Sequence, residues 1–130
     1  QGVSSAASDV YKRQAQVQSE THASPALQRY VLDLCGAIRD PSRLTVPGAD
    51  TARLVRGGVS PRGMQYLVRA ARARAWAEGR DAVLPQDVRA VFAPVMKHRI
   101  FLTPAHEPRR ETLVPALIEA AFDTVPVPAA

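Results

Sequence analysis

An all-α fold, a small bundle of about four helices, is predicted by three features of the sequence. Apolar residues recur at helical spacing. From Pro61 to Glu78, Met64, Leu67, Val68, Ala71 and Ala75 follow one another in steps of three, one, three and four, the pattern of one buried helix face. Two helix starts are written alike, Ser24-Pro25 and Ser60-Pro61, each a serine able to accept an orphan backbone N–H and a proline where a missing N–H costs nothing. The composition is 46% apolar but only 5% aromatic, so alanine, leucine and valine must fill the interior, which suits close contact between helices. At 130 residues the chain is one domain's worth, able to bury about two-thirds of its unfolded surface.

The elements follow in order. Residues 1–13 are small and polar without a period. The run from Val3 to Gln14 resembles translated sequencing adaptor, so a disordered, non-native leader is expected over 1–13 and the domain proper over 14–128. The first helix is expected from about Ala26 to Ile38, capped by Ser24, with Leu27, Tyr30, Val31, Leu34 and Ile38 on one face. Asp40-Pro41 stops it, because the residue before a proline is pushed out of the helical region. Residues 40–58 carry Pro41, Pro47, Gly48, Gly57 and Gly58 and read as a connection, with a short helix expected from Asp50 to Val55.

The central helix runs from Pro61 to about Glu78. Gly79 stands as the residue just past its end, and Trp76 is expected to cover the edge of the core. Val83 should plug into the core, and Pro85 opens the next helix with Asp87 in its first turn. Val88, Val91, Phe92, Val95 and Met96 form that helix's apolar face, and Pro94 is expected to kink or break it near Ala93. Ile100-Phe101-Leu102 reads as a short extended segment. The last helix is expected from Leu113 to Asp123, capped by Thr112, with Pro115 tolerated in its first turn. Pro126 and Pro128 prevent its continuation.

Arg62 is the residue that does not suit its position. A cation in the first turn of a helix faces the positive end of the macrodipole, at a cost of about 0.3–1 kcal/mol. A bound anion would reverse that sign, and the exposed N–H groups of the same turn would add to it. From the residues alone two readings stand: a phosphate-reading cation, and a solvated arginine on an ordinary capped helix.

The segment Gly58-Val59-Ser60-Pro61-Arg62-Gly63 resembles the glycine-x-serine-proline-arginine segment of MoxR-type AAA+ ATPases. Further blocks match in order: Ala70-Ala71-Arg72-Ala73, Gly79-Arg80-Asp81-Ala82-Val83, Pro85-Gln86-Asp87-Val88, Pro94-Val95-Met96-Lys97-His98-Arg99-Ile100 and Val125-Pro126-Val127-Pro128. Upstream, Tyr30 to Leu34 and Ile38-Arg39 fit as well. The chain thus resembles the C-terminal helical lid of that family. Val59 stands where a small alanine is usual, and Leu84 where a capping threonine is usual, so the helix from Pro85 loses its N-cap oxygen.

The resemblance implies that Arg62 is the catalytic sensor-two residue, which reaches the terminal phosphate of ATP held by a separate core domain, and that Ser60, Pro61 and Arg62 form the nucleotide-binding segment. It also implies Mg bound through that core, a homo-oligomeric ring, and chaperone-like work on partners with von Willebrand factor A domains. The sequence contains no Gly-x-x-x-x-Gly-Lys-Ser/Thr loop and no apolar strand ending in paired acids. ATP-binding core residues are therefore expected elsewhere in the parent, and the chain alone should be inactive.

Charge leaves room for other functions. There are 17 Lys and Arg against 12 Asp and Glu, a net charge of +5. The arginines are spread over several segments with no interleaved aromatics, which disfavours a nucleic-acid stripe, and Arg69, Arg72 and Arg74 read as a solvated face. Lys97-His98-Arg99 reads as dipole compensation at a helix end, or as a phosphate or subunit contact. The alternative to the lid is a free-standing basic helical module that binds nucleic acid or a protein. A third reading is a bundle with no ligand. His22, His98 and His106 lack metal-ligand spacing, so no metal site is expected. Cys35 is alone, and there is no apolar run of about 18 residues and no signal-peptide h-region, so the expected setting is cytoplasmic without a membrane span.

Overall fold

The computed structural model describes residues 2–129. They form five α-helices and one two-stranded sheet: α1 (Gly2–Glu20), α2 (Pro25–Arg39), β1 (Val55–Gly57), α3 (Pro61–Ala77), α4 (Pro85–Met96), β2 (Phe101–Leu102) and α5 (Arg110–Thr124). The class is all-α as expected, with one helix more than expected. The additional helix is α1, which from Gly2 on takes the place of the disordered leader. No proline and no further glycine interrupts it before Glu20. Residues 6–16 are exposed, so the core does not rest on them.

One core joins the rest. Leu34 and Ile38 of α2, Leu67 of α3, Phe92 and Met96 of α4 and Leu117 of α5 have no exposed surface. All five predicted face residues of α2 are buried, and on α5 the apolar face expected from the sequence, Leu113, Leu117, Ile118, Ala121 and Phe122, is buried as well. On α3, Leu67, Ala71 and Ala75 are buried while Met64 and Val68 are half-buried. The alanines allow α3 and α4 to lie close together, and these two helices form the most extensive pair in the fold. Phe92 meets Phe122 of α5 edge-on, with ring centroids 5.3 Å apart. Val83 is buried as expected.

Three helix ends follow the sequence signals closely. The Ser24 Oγ accepts the Leu27 N–H at 3.1 Å, and the Ser60 Oγ accepts the Gly63 N–H at 3.1 Å. Gly79 has φ +77°, and the flanking bonds, Arg80 N–H to Ala75 O and Gly79 N–H to Trp76 O, close α3 as a Schellman turn.

Other expectations are corrected. Asp50 to Val55 is not a helix but a 3₁₀ turn, Thr51–Arg53, that leads into β1. The strand's partner is β2, antiparallel, with Val55 opposite Leu102 and Gly57 opposite Phe101 and an irregularity between them. A strand this short has no visible period of its own; its partner lies more than forty residues away, and only the folded chain brings the two together. Trp76 stands outside the core, where its indole N–H donates to Glu20 Oε2 at 3.2 Å. Pro94 does not break α4, which continues to Met96. The ring sits on the exposed side of the last turn, so the loss is a single backbone bond.

The helix α5 begins at Arg110, directly after a 3₁₀ turn, Glu107–Arg109, so Thr112 is inside it and is not a cap. Pro115 consequently lies beyond the first turn, again with its ring exposed. The start is set from outside α5: Arg110 donates to Lys97 O at 2.8 Å and to Ile100 O, and pairs with Glu107 at 2.8 Å.

Candidate functional site

Gly57 to Gly63 links β1 to α3, and it is held from three sides. Val59 has no exposed surface. A guanidinium N–H of Arg39, at the end of α2, donates to the Val59 carbonyl at 2.5 Å. Gly58 lies so close to α2 that a Cβ there would come within 3.0 Å of the Arg39 Cα. Gly63 packs on Val59, and a Cβ there would meet Val59 Cγ1 at 2.9 Å. The larger Val59, where alanine is usual in the resembling family, thus fits because Gly63 leaves it space.

On this rigid turn the three predicted site residues part ways. Ser60 spends its hydroxyl on the cap of α3. Pro61 takes the first helical position and is exposed. Arg62 follows, exposed, and the first turn of α3 contains no acid. Among the described residues no carboxylate pairs with Arg62. The turn therefore presents a cation and the positive end of a 17-residue helix to the outside, with no internal counter-charge. It is open surface. A groove of about 620 Å³ runs between α2 and α3 along Leu32, Met64 and Val68, and Arg62 does not line it.

Two further side chains border the turn and were not singled out as a pair by the sequence. Arg99 follows the end of α4, and its guanidinium lies over the Tyr66 ring, 4.9 Å from the centroid. Tyr66 is one helical turn on from Arg62 and is exposed. The available signal was the spacing of Arg62 and Tyr66 together with the basic triplet at 97–99.

The start of α4 is built differently. Asp87 has no exposed surface. Its carboxylate accepts from Arg80 at 2.6 and 2.7 Å and from the Leu84 N–H at 2.8 Å, with the Arg74 Nε 3.6 Å away. Burial alone would raise its pKa. The hydrogen bonds from Arg80 and Leu84 and the charges of Arg80 and Arg74 outweigh burial and hold the carboxyl below its usual range. Arg74 is thus not simply part of a solvated face. Cys35 is buried, and burial pushes its thiol up to about 12, which makes it packing material. No group of three or more His, Cys, Asp or Glu among the described residues is placed to hold a metal ion. None of the helices is long and apolar enough to cross a membrane.

A small helical bundle whose third helix opens on an exposed cation is the fold to be compared with known proteins. The profile of the AAA lid domain matches residues 48–120, more than half of the chain, and the chain belongs to this family. Within it the lid is of the MoxR type. It is 76% identical over 118 residues to protein MoxR of Paracoccus denitrificans, covering 89% of this chain and 35% of that protein. It is 52% identical over 114 residues to protein MoxR of Methylorubrum extorquens, covering 86% of this chain and 33% of that one. Chaperone MoxR1 of Mycobacterium tuberculosis is 41% identical over 78 residues, 60% of this chain and 20% of that protein. The chain therefore spans about a third of the length of the first two curated relatives. Its fold is also found in a crystal structure of a candidate ATPase from Cytophaga hutchinsonii, with a TM-score of 0.76 at 27% identity, covering 88% of this chain and 34% of that one.

Proposed function

We propose that residues 14–128 act as the lid of a MoxR-type AAA+ ATPase that closes over ATP bound to a separate core domain, with residues 1–13 foreign to it. Arg62 is the sensor-two residue of that reading. The single observation that carries it is an exposed guanidinium without a carboxylate partner, among the described residues, on a capped and clamped helix start. A rigid cation costs no reorganisation when charge develops on a terminal phosphate, and such preorganised groups are worth several kcal/mol in a transition state. In this reading the anion of ATP meets the lid at Arg62, and its Mg would be held through the core. Ser60 and Pro61 serve by fixing the turn. Lid rotation then couples nucleotide turnover to movement between subunits of a ring. The name of the Mycobacterium tuberculosis relative supports a chaperone-like role, and partners with von Willebrand factor A domains and a cytoplasmic setting belong to the same reading.

The test is Arg62→Ala in a full-length ATPase that carries this lid. The expected result is a fall in kcat of about a hundredfold or more with thermal stability shifted by less than about 0.5 kcal/mol. Equal losses of turnover and stability make Arg62 an ordinary helix residue. The isolated chain should not hydrolyse ATP, and hydrolysis by it that survives Arg62→Ala contradicts the assignment.

A further inference from the structure

We propose that Arg99, placed over the Tyr66 ring, is a second cation of the same anion-facing surface and takes the non-transferred phosphates of the nucleotide whose terminal phosphate Arg62 reads. This rests on the sensor-two reading of Arg62 and extends it to a residue on a different element.

Four observations carry it. Arg99 reaches α3 from the turn after α4: a Cβ on Gly63 would lie 3.5 Å from the Arg99 Cδ, so its stem crosses the first turn of α3. Its guanidinium then lies 4.9 Å over the Tyr66 ring. Tyr66 and Arg62 are four residues apart on one helix, hence on one face, about one turn of 5.4 Å from each other. Arg62 and Arg99 are thus brought to the same side of the same helix end.

The backbone that carries Arg99 is pinned. Ile100 has no exposed surface, the Arg99 N–H donates to Met96 O at 2.8 Å, and Arg110 donates to both Lys97 O and Ile100 O. A solvated lysine or arginine at a helix end needs no such support. Here the first turn of α3 holds no acid, and no carboxylate among the described residues pairs with Arg62 or with Arg99. Like charges placed together without an internal counter-ion are each unfavourable in isolation and become favourable with a polyanion between them. Contact with the Tyr66 ring also restrains the Arg99 side chain, which limits the rotamer freedom lost on binding.

The two cations have separable consequences. A group that touches the phosphate being transferred acts on kcat. A group that touches phosphates equally charged before and during the reaction acts on KM and on product affinity. Steady-state kinetics, ADP titration and thermal melts of the full-length ATPase distinguish them, with Arg99→Ala, Tyr66→Leu, Tyr66→Phe and Arg62→Ala compared with wild type.

Arg99→Ala is expected to raise KM for ATP and weaken ADP binding about tenfold or more, the loss of one charge-assisted contact, with kcat kept within about twofold and the melting temperature unchanged. Tyr66→Leu reproduces part of that loss, and Tyr66→Phe, which keeps the ring, behaves as wild type. Arg62→Ala lowers kcat and leaves ADP affinity in place. Unchanged KM and ADP affinity in Arg99→Ala, beside a kcat loss in Arg62→Ala, overturns the role of Arg99 alone. Undiminished kcat in Arg62→Ala overturns the sensor-two reading beneath it. A lowered melting temperature that accounts for the Arg99→Ala loss, with Tyr66→Leu normal in ADP affinity, makes Arg99 structural and overturns the proposal as well.

Discussion

The starts of α3 and α4 are a natural pair. Each opens on a proline at the first helical position, and the two helices pack on each other. Their electrostatics are opposite. At α4 the capping residue is Leu84, which has no oxygen to offer, so only the return half of a capping box is made, from the Leu84 N–H to Asp87. The acid is buried and satisfied by Arg80, and the positive helix end is answered from within. At α3 the cap is good, supplied by Ser60, but the charge is not: Arg62 adds to the positive end and no carboxylate among the described residues pairs with it. A helix end that is neutralised internally serves stability. One that is capped yet left positive suits the anion proposed for it above.

Exchanging the sign at α3 tests the contrast most strongly. Arg62→Glu should reduce turnover of the full-length ATPase about a hundredfold or more, while stability rises by about 0.3–1 kcal/mol because an acid suits that end of the helix. Activity and melting temperature moving in opposite directions is the outcome to look for. If both fall, α3 resembles α4 and the contrast fails.

The next effect is on stability alone. Asp87→Asn leaves the Arg80 guanidinium without its carboxylate and should cost about 3 kcal/mol, the lower end for a broken buried pair, because the Arg80 side chain is still 27% exposed. The pH dependence has a definite sign. The folded Asp87 carboxyl lies below its usual range, so its contribution is present above the ordinary carboxylate pKa of about 4 and is lost as pH falls through the lowered value. Denaturant melts of the two chains should differ most near neutral pH and converge on acidification. A difference that grows towards acid pH contradicts this account.

Gly63→Ala comes third. The new Cβ would meet the buried Val59 at 2.9 Å, and overpacking of this kind costs about 1–3 kcal/mol. Val59→Ala should relieve it, so the double substitution is expected to be more stable than Gly63→Ala alone, as thermal melts would show.

The smallest effects are the caps. Ser60→Ala should cost about 1 kcal/mol. Leu84→Thr supplies the oxygen that α4 lacks and should add about 0.5 kcal/mol, less than a full cap because the half-buried leucine gives up some apolar contact. Both are within reach of chemical denaturation, and loss of stability in Leu84→Thr would show that packing outweighs capping at this corner.

The helices α2 and α3 were legible because their information is local. Serine, proline, glycine and the apolar period act within a few residues, and the caps at Ser24 and Ser60, the turn at Gly79 and the buried faces follow from them. Arg62 was legible for the same reason, as a residue at odds with its own helix end. What the sequence missed depended on distant partners. The strands at Val55 and Phe101 are too short to show a period and exist through each other. Trp76 is large and apolar, but its N–H found Glu20 instead of the core. Thr112 has the chemistry of a cap, yet Arg110 bonded to the turn after α4 and started α5 ahead of it.

The sequence by itself determined the bundle, its helix faces and the cation Arg62 at odds with its own helix end, since each rests on spacing and residue chemistry along one segment. Only the tertiary structure decided which charges would be answered. Arg80 and Asp87 meet because the link between α3 and α4 brings the arginine onto the buried carboxylate, where an unpaired charge is costly. Arg99 reaches the Tyr66 ring because α3 and the end of α4 lie side by side, and among the described residues no carboxylate pairs with Arg62 or Arg99.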